Sequence, residues 1–416
     1  MPASVLPERK MEGIQPIASS FSSILELPPS CIQFCPAHPD LFVVGTYNLE
    51  REENQSKGDN AVPESDEPSN KPQTRNGSLL VFRINGTEPT LIQTVQQPSA
   101  VLDIRFHPTE RGILAVASST ASLGIYKLEE SEDATAPLRE LAVSEPLGPE
   151  IGTLFLQCQW HPTQKSWLGV TASTGLAYLV ELSEDWTSSR MTQLNLESPL
   201  EPWSIAFSPT KPPEDGSTGF SIYTGSDDSV LRFSFYSVNH ERSSDDQCIE
   251  ETAPLVPLHS AIVTKKHMAG VTAILPLALT TPDGGRLVIT GSYDDHIRLF
   301  SIHDLDQTGG FAMVRLLVEE NLGGGVWRLD PVKIEKIAGS WKIIILVSCM
   351  HAGARVVELS SVDGAAWDCN VLARFEEHKS MNYGSDFVRG TDNALLRCVT
   401  TSFYDRLLCV WEYKYS

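Results

Sequence analysis

No Gly-x-Ser-x-Gly elbow and no His-Glu-x-x-His pair occurs in the 416 residues, which removes two familiar signatures of serine and zinc hydrolases. Positive charge is scarce: 32 Lys and Arg stand against 53 Asp and Glu, a formal net charge of −21. The basic residues do not cluster, so a nucleic-acid backbone is excluded as the expected partner, and a cationic substrate or basic protein surface fits better. No run of roughly eighteen consecutive apolar residues is present, so no membrane-spanning helix is expected. The eight cysteines are scattered, and the one close pair, Cys31 and Cys35, lacks a second pair at zinc-ligand spacing. Reduced, mostly buried thiols are expected, with no metal site and no cofactor. Met1 to Lys10 carries no apolar core behind a basic flank, so the expected chain is soluble, unsecreted, cytoplasmic and monomeric.

Helical periodicity is also nearly missing. What recurs instead is short runs of Val, Ile, Leu, Phe and Tyr bounded by Gly, Ser, Asp and Pro, the strand signal of an all-β chain. A repeat emerges when Ser30–Pro36, Val101–Pro108, Leu156–Pro162 and Trp203–Pro209 are laid over one another, each a strand that ends on a proline turn. A second piece, a strand, a small-polar-Asp turn and another strand, is clearest in Val288–Phe300 and returns in Ser402–Trp411. This resembles the WD-repeat pattern, in which a His, a Ser, an Asp and a Trp form a network within one blade; the matching residues are His267, Ser292 and Asp294, with Phe300 in place of Trp.

The count predicts a seven-bladed WD-repeat β-propeller as a single domain over 1–416, with blades at about 28–84, 99–128, 150–183, 200–237, 265–304, 322–360 and 380–415. Residues 13–27 are expected to close the ring as an outer strand. Three polar insertions, 50–76, 129–149 and 239–252, lack the apolar residues that offset the entropy of ordering and are expected to be mobile surface loops.

Most propellers are binding platforms, so the repeat alone implies no activity. Narrower stretches do. Phe42–Asn48 (Phe-Val-Val-Gly-Thr-Tyr-Asn), Thr290–Arg298 (Thr-Gly-Ser-Tyr-Asp-Asp-His-Ile-Arg), Gly323–Leu329 (Gly-Gly-Gly-Val-Trp-Arg-Leu), Ser348–Gly353 (Ser-Cys-Met-His-Ala-Gly) and Tyr383–Phe387 (Tyr-Gly-Ser-Asp-Phe) resemble, in order and identity, the diphthine methyl ester hydrolases. The resemblance spans the propeller and is strongest in blades one and five to seven. It implies removal of the methyl ester from methylated diphthine, a modified histidine of elongation factor 2, so that the freed carboxylate can be amidated to diphthamide. Pro331 and Phe387 depart from the family pattern, which puts an aromatic and a Trp there. The competing expectation is a non-catalytic WD-repeat adaptor.

Ester hydrolysis needs a nucleophile or activated water, a base and oxyanion donors. His351 falls where blade five has Asp294 and blade seven has Asp405, so a base replaces a structural acid at a turn; it is either the catalytic base or a hydrogen-bonding member of its own blade. Asp386 either orients a base or binds a positive group, or is an ordinary paired acid. Cys349, in the slot of Ser292, is a nucleophile only as thiolate, and nothing cationic adjoins it in sequence. Asp295 and His296 follow the structural Asp in a tight turn, where solvated polar residues are ordinary; the competing reading is a functional role. A trimethylammonium group is held by aromatic faces near negative charge. Trp203, Trp327 and Tyr383 share one register position, four residues before the inner-strand aromatic or its replacement, and Tyr47, Tyr293 and Tyr404 share one turn position. The first set predicts a cage at the channel mouth and the second a rim; the competing reading is that each ring fills a gap between blades. Gly323, Gly324 and Gly325 either bring backbone amides to a ligand or form a plain connector.

Overall fold

The computed structural model describes residues 14–49, 75–129, 136–148, 152–208, 219–238, 255–303, 313–337, 339–390 and 394–415. Among them there is no helix; the strands form seven sheets, antiparallel but for one short added strand, and consecutive inner strands pack around a ring, the seventh against the first. From blade one to blade seven the inner strands are Pro29–Phe34, Val101–Phe106, Phe155–Trp160, Pro202–Phe207, Val271–Thr280, Arg328–Ile337 and Gly384–Arg389. The last sheet is completed from the other end of the chain: Phe21–Ile24 pairs antiparallel with Leu407–Lys414, Phe21 opposite Val410. That pairing covers what is otherwise a free sheet edge. Pro16–Ile17 adds a short parallel strand to blade six beside Arg374 and Phe375.

Sheets stacked face to face must bury both faces, and the inner three strands are accordingly near-continuous in Val, Ile, Leu and Ala. Buried apolar residues fall into seven clusters, one per blade interface, such as Ile289, Ile297, Ile343 and Ile345 between blades five and six, and Phe42, Val44, Val399 and Val410 between seven and one. Ile345 is fully buried. Ile345→Ala is expected to cost about 2–5 kcal/mol of unfolding free energy, the range for emptying such a site, measured as a lower denaturant midpoint at unchanged slope.

The outer strands differ. Glu88–Gln97 alternates between exposed and half-buried residues, and Ser188–Gln193 buries none fully. Their weak apolar signal explains why the expected blade bounds stop short of Glu88–Gln97, Ser188–Gln193 and Asp368–Phe375. It also corrects the loop expected over 129–149: Leu138–Ser144 is the outer strand of blade two, paired with Leu123–Leu128. Arg75 and Asn76, expected in the first loop, begin the third strand of blade one. Residues 50–74, 130–135, 149 and 239–252 of those insertions lie outside the described residues.

The repeat's polar residues stitch individual blades. His267 Nε2 lies 2.8 Å from Thr290 Oγ1, and His378 Nε2 lies 2.8 Å from Thr400 Oγ1. Asp294 accepts from the Met268 and His296 amides and pairs with Arg298. The hydroxyl facing His267 is therefore Thr290; Ser292 instead donates to Ala269 O. Pro331, lacking an amide, sits at a register shift between the first two strands of blade six, a position that tolerates it.

Candidate functional site

Every inner strand starts on one face of the ring, so residues at its first register position converge around the channel mouth. Ser30, Leu102, Leu156, Trp203, Trp327 and Tyr383 hold that position in six blades, and all six line one cavity of about 530 Å³. The turns between second and third strands open on the same face and add Tyr47, Tyr293, Phe403 and Tyr404. All six aromatics singled out from sequence are thus brought together. Blades two and three contribute only Leu102, Leu154 and Leu156, so one wall is aliphatic and the other aromatic.

The aromatic wall is continuous. Trp203 and Trp327 have ring centroids 5.7 Å apart, Tyr293 and Trp327 5.9 Å, and Trp327 and Tyr383 4.9 Å. Phe403, which sequence reasoning missed, carries the chain on, 5.7 Å from Tyr383, 5.9 Å from Tyr47 and 5.1 Å from Tyr404. Tyr404 is 72% exposed and forms the rim. At the other end stands a carboxylate that was also missed: Asp227 Oδ1 accepts from Trp203 Nε1 at 3.3 Å. Burial, helped by Tyr383, Asp227 and Glu201, raises the Tyr293 phenol well above its ordinary value, so it stays neutral. Gly270 packs between these groups: a Cβ there would lie 2.6 Å from Asp227 Oδ1 and 2.9 Å from Tyr293 Cδ2. Rings flanked by a carboxylate suit a cation that offers no hydrogen-bond donor.

The remaining candidates lie elsewhere. His351 is exposed in the turn 350–353, on the same face of the ring as the cavity but outside its lining. Asp386 is half-buried deeper in the channel, where its Oδ2 accepts from the Phe34 amide at 2.6 Å and its Oδ1 from the Phe387 amide at 2.8 Å. Its two oxygens serve backbone, which matches the bland reading of that residue. Cys349 is fully buried, and burial pushes its thiol up to about 12, which removes thiolate at neutral pH. Gly324 and Gly325 pack against Cys349 O and Met350, where a Cβ would come within 2.3 Å and 2.6 Å; close approach of the two turns, with no ligand, accounts for them. His296 Nδ1 faces its own turn at Asp294.

Below the aromatic wall the channel is charged. Arg328, next after Trp327, reaches across the ring from blade six to blade two, its Nη2 2.7 Å from Asp103 Oδ1. Asp103 Oδ2 lies 3.4 Å from Arg105 Nε and accepts from the Cys158 amide. Sequence gave no sign of this floor, because its members are 225 residues apart.

No family model matches the chain. Curated relatives do, over nearly its whole length. "Diphthine methyltransferase" of Schizosaccharomyces pombe is 26% identical across 96% of this chain and 98% of its own. The proteins of that name from Saccharomyces cerevisiae and Homo sapiens are each 25% identical, over 93% and 92% of this chain and 96% and 77% of theirs. Among solved structures, a chain of "Crystal Structure of Mitotic Checkpoint Complex" superposes over 96% of both chains with a TM-score of 0.55 at 12% identity, a likeness of fold alone.

Proposed function

We propose that this chain, a relative of the diphthine methyltransferases, removes the methyl ester from methylated diphthine on elongation factor 2 and so acts in diphthamide biosynthesis, in the cytoplasm. The observation that carries the reading is the cavity at the channel mouth, walled by Trp203, Tyr293, Trp327 and Tyr383, with the exposed carboxylate of Asp227 outside the lining on the Trp203 indole N–H. Diphthine bears a trimethylammonium on the carbon next to its carboxyl group. A cation held among those rings therefore keeps the ester within a few ångströms of them. The acidic chain, at −21, favours the basic surroundings expected of such a substrate.

The relatives' name speaks of methyl transfer and leaves its direction open. Hydrolysis is our reading of the ordered motifs, and it needs only water besides the ester. The deciding measurement is mass spectrometry of elongation factor 2 carrying the methyl ester after incubation with purified protein and no methyl donor. Loss of the ester methyl with release of methanol is expected. An ester left intact, with methyl added to the free acid only when a donor is supplied, would reverse the direction; no change in either sample returns the chain to the adaptors.

A further inference from the structure

The cavity and the charged floor are adjacent levels of the same four strands. Ser30, Leu102, Trp327 and Tyr383 line the cavity; Cys31, Asp103, Arg328 and Gly384, one residue further along, line a cell of about 10 Å³, close to the volume that admits a single water. One residue of strand is about 3.3 Å. Asp330 and Arg105 line the cell as well.

Side chains in this channel have a repeated task. The innermost strand of each blade presents edge amides to its neighbour, and side chains of the preceding blade cover them: Gln33 accepts from Phe106 N, Asp103 from Cys158 N, Gln157 from Ile205 N and Asp386 from Phe34 N. Asp330 holds in blade six the register of Gln33 and Asp386, and the amide it should cover is that of Phe387. Asp386 already takes that amide. Asp330 Oδ2 is left buried with no hydrogen-bond partner among the described residues. Asp330 and Arg328, two apart on one strand, share a face.

We propose that Asp330 is the general base of the hydrolysis and that Arg328 holds the ester carbonyl, the aromatic cavity delivering the ester to a water in this cell. The assignment rests on the hydrolytic reading above. As the water oxygen bonds to the carbonyl carbon, its proton passes to Asp330 and the developing oxyanion faces the Arg328 guanidinium. The bond from carbon to the methoxy oxygen then breaks, and the Asp330 proton leaves with the methoxide. Ester and water give acid and methanol, and the acid ionises against Arg328. Burial raises the Asp330 carboxyl to about 6; Arg105 and Arg328 pull it down, and Asp103 pushes it up. Asp386 faces it too. The Cys31 and Cys158 thiols, held up by burial, stay neutral beside it. A carboxyl near 6 is ionised at neutral pH and still a useful base.

The test uses the full chain and elongation factor 2 bearing the methyl ester. Asp330→Asn is expected to lower the hydrolysis rate about 10²–10⁴-fold while quenching of tryptophan fluorescence by tetramethylammonium is unchanged. Formate is expected to restore part of the rate to Asp330→Ala. The wild-type profile of kcat/KM should fall on the acid side through about pH 6, a readout that needs no variant to fold. Wild-type hydrolysis with Asp330→Asn above a tenth of its rate, or a profile flat between about pH 5 and 7, overturns the assignment alone. Absence of wild-type hydrolysis removes the hydrolytic reading and the assignment together.

Discussion

Trp327→Ala is expected to lose on the order of 100-fold in kcat/KM while the chain keeps its fold. Trp327 is the one ring in contact with Trp203, Tyr293 and Tyr383, at centroid distances of 5.7, 5.9 and 4.9 Å. Removing it deletes a face of the cage and separates the two rings on either side. A desolvated cation over an indole is worth about 2 kcal/mol, and lost apolar contact adds to that. The structural cost is smaller, since Trp327 is half-buried and its Nε1 has no hydrogen-bond partner among the described residues to leave behind. The loss should fall mainly on KM, because the cation is held equally before and during ester cleavage. Trp327→Phe should recover most of it. Asp227→Asn, at an exposed carboxylate, should lose only about 3- to 10-fold, with the effect shrinking as salt is raised. Steady-state kinetics on the methyl-ester substrate, with thermal melts of each variant, separates these outcomes. Turnover by Trp327→Ala within about threefold of wild type would remove the cage.

The convergence of the aromatics was legible because a propeller turns equal register into equal place: three aromatics before three inner strands had to meet at the channel mouth once the strands formed a ring. Phe403 lay beside Tyr404 in the same turn but belonged to neither aligned set. Asp227 had no visible tie to Trp203 across a strand and a turn. His351 shows the limit of that logic: it aligns with Asp294, yet blade six makes a different turn, with Met350 left-handed at φ 40° and buried while His351 points outward. Asp386 could be read from sequence either as a site acid or as an ordinary paired one, and only the fold reveals that Phe34 N and Phe387 N occupy its oxygens. Asp330 drew no notice in sequence, because its distinction is the amide that it does not cover. Outer strands were missed for the opposite reason, since solvent on one face dilutes the pattern by which strands are recognised.

Stability is expected to peak near about pH 6.5 and to decline on both sides, through groups of opposite sign. Burial lowers His161, His267 and His378 to about 4 from 6.5, with Arg298 adding to the effect at His267 and Asp294 opposing it. At His378 the carboxylates of Asp405 and Glu377 oppose burial. Between those values the unfolded chain takes up three protons that the fold refuses, so this contribution is present above 6.5 and is lost as pH falls. Asp386 and Asp330 act the other way. Burial, with mutual repulsion at Asp386, raises them to about 8 and about 6 from 3.8, so the fold holds protons that the unfolded chain has released. Their contribution is lost as pH rises. Each proton in excess is a slope of about 1.4 kcal/mol per pH unit. From about pH 6 to 4 the two carboxyls offset two of these three histidines, leaving about one proton of acid limb, to which His107, lowered by burial, adds and which Glu181, raised by burial, opposes. Above about 7 the histidines are silent, and Asp386 alone gives a falling alkaline limb that ends near 8. Asp386→Asn should erase the alkaline limb and steepen the acid one by about one proton, whatever it does to stability at the peak, because the slopes count protons and not contacts. Chemical denaturation midpoints of both proteins between about pH 5 and 8.5 read this directly. A wild-type curve flat above pH 7, or an alkaline decline that survives in Asp386→Asn, would show that this carboxyl is already ionised at neutral pH, adding a further negative charge to Asp103 and Asp330 beside Arg105 and Arg328.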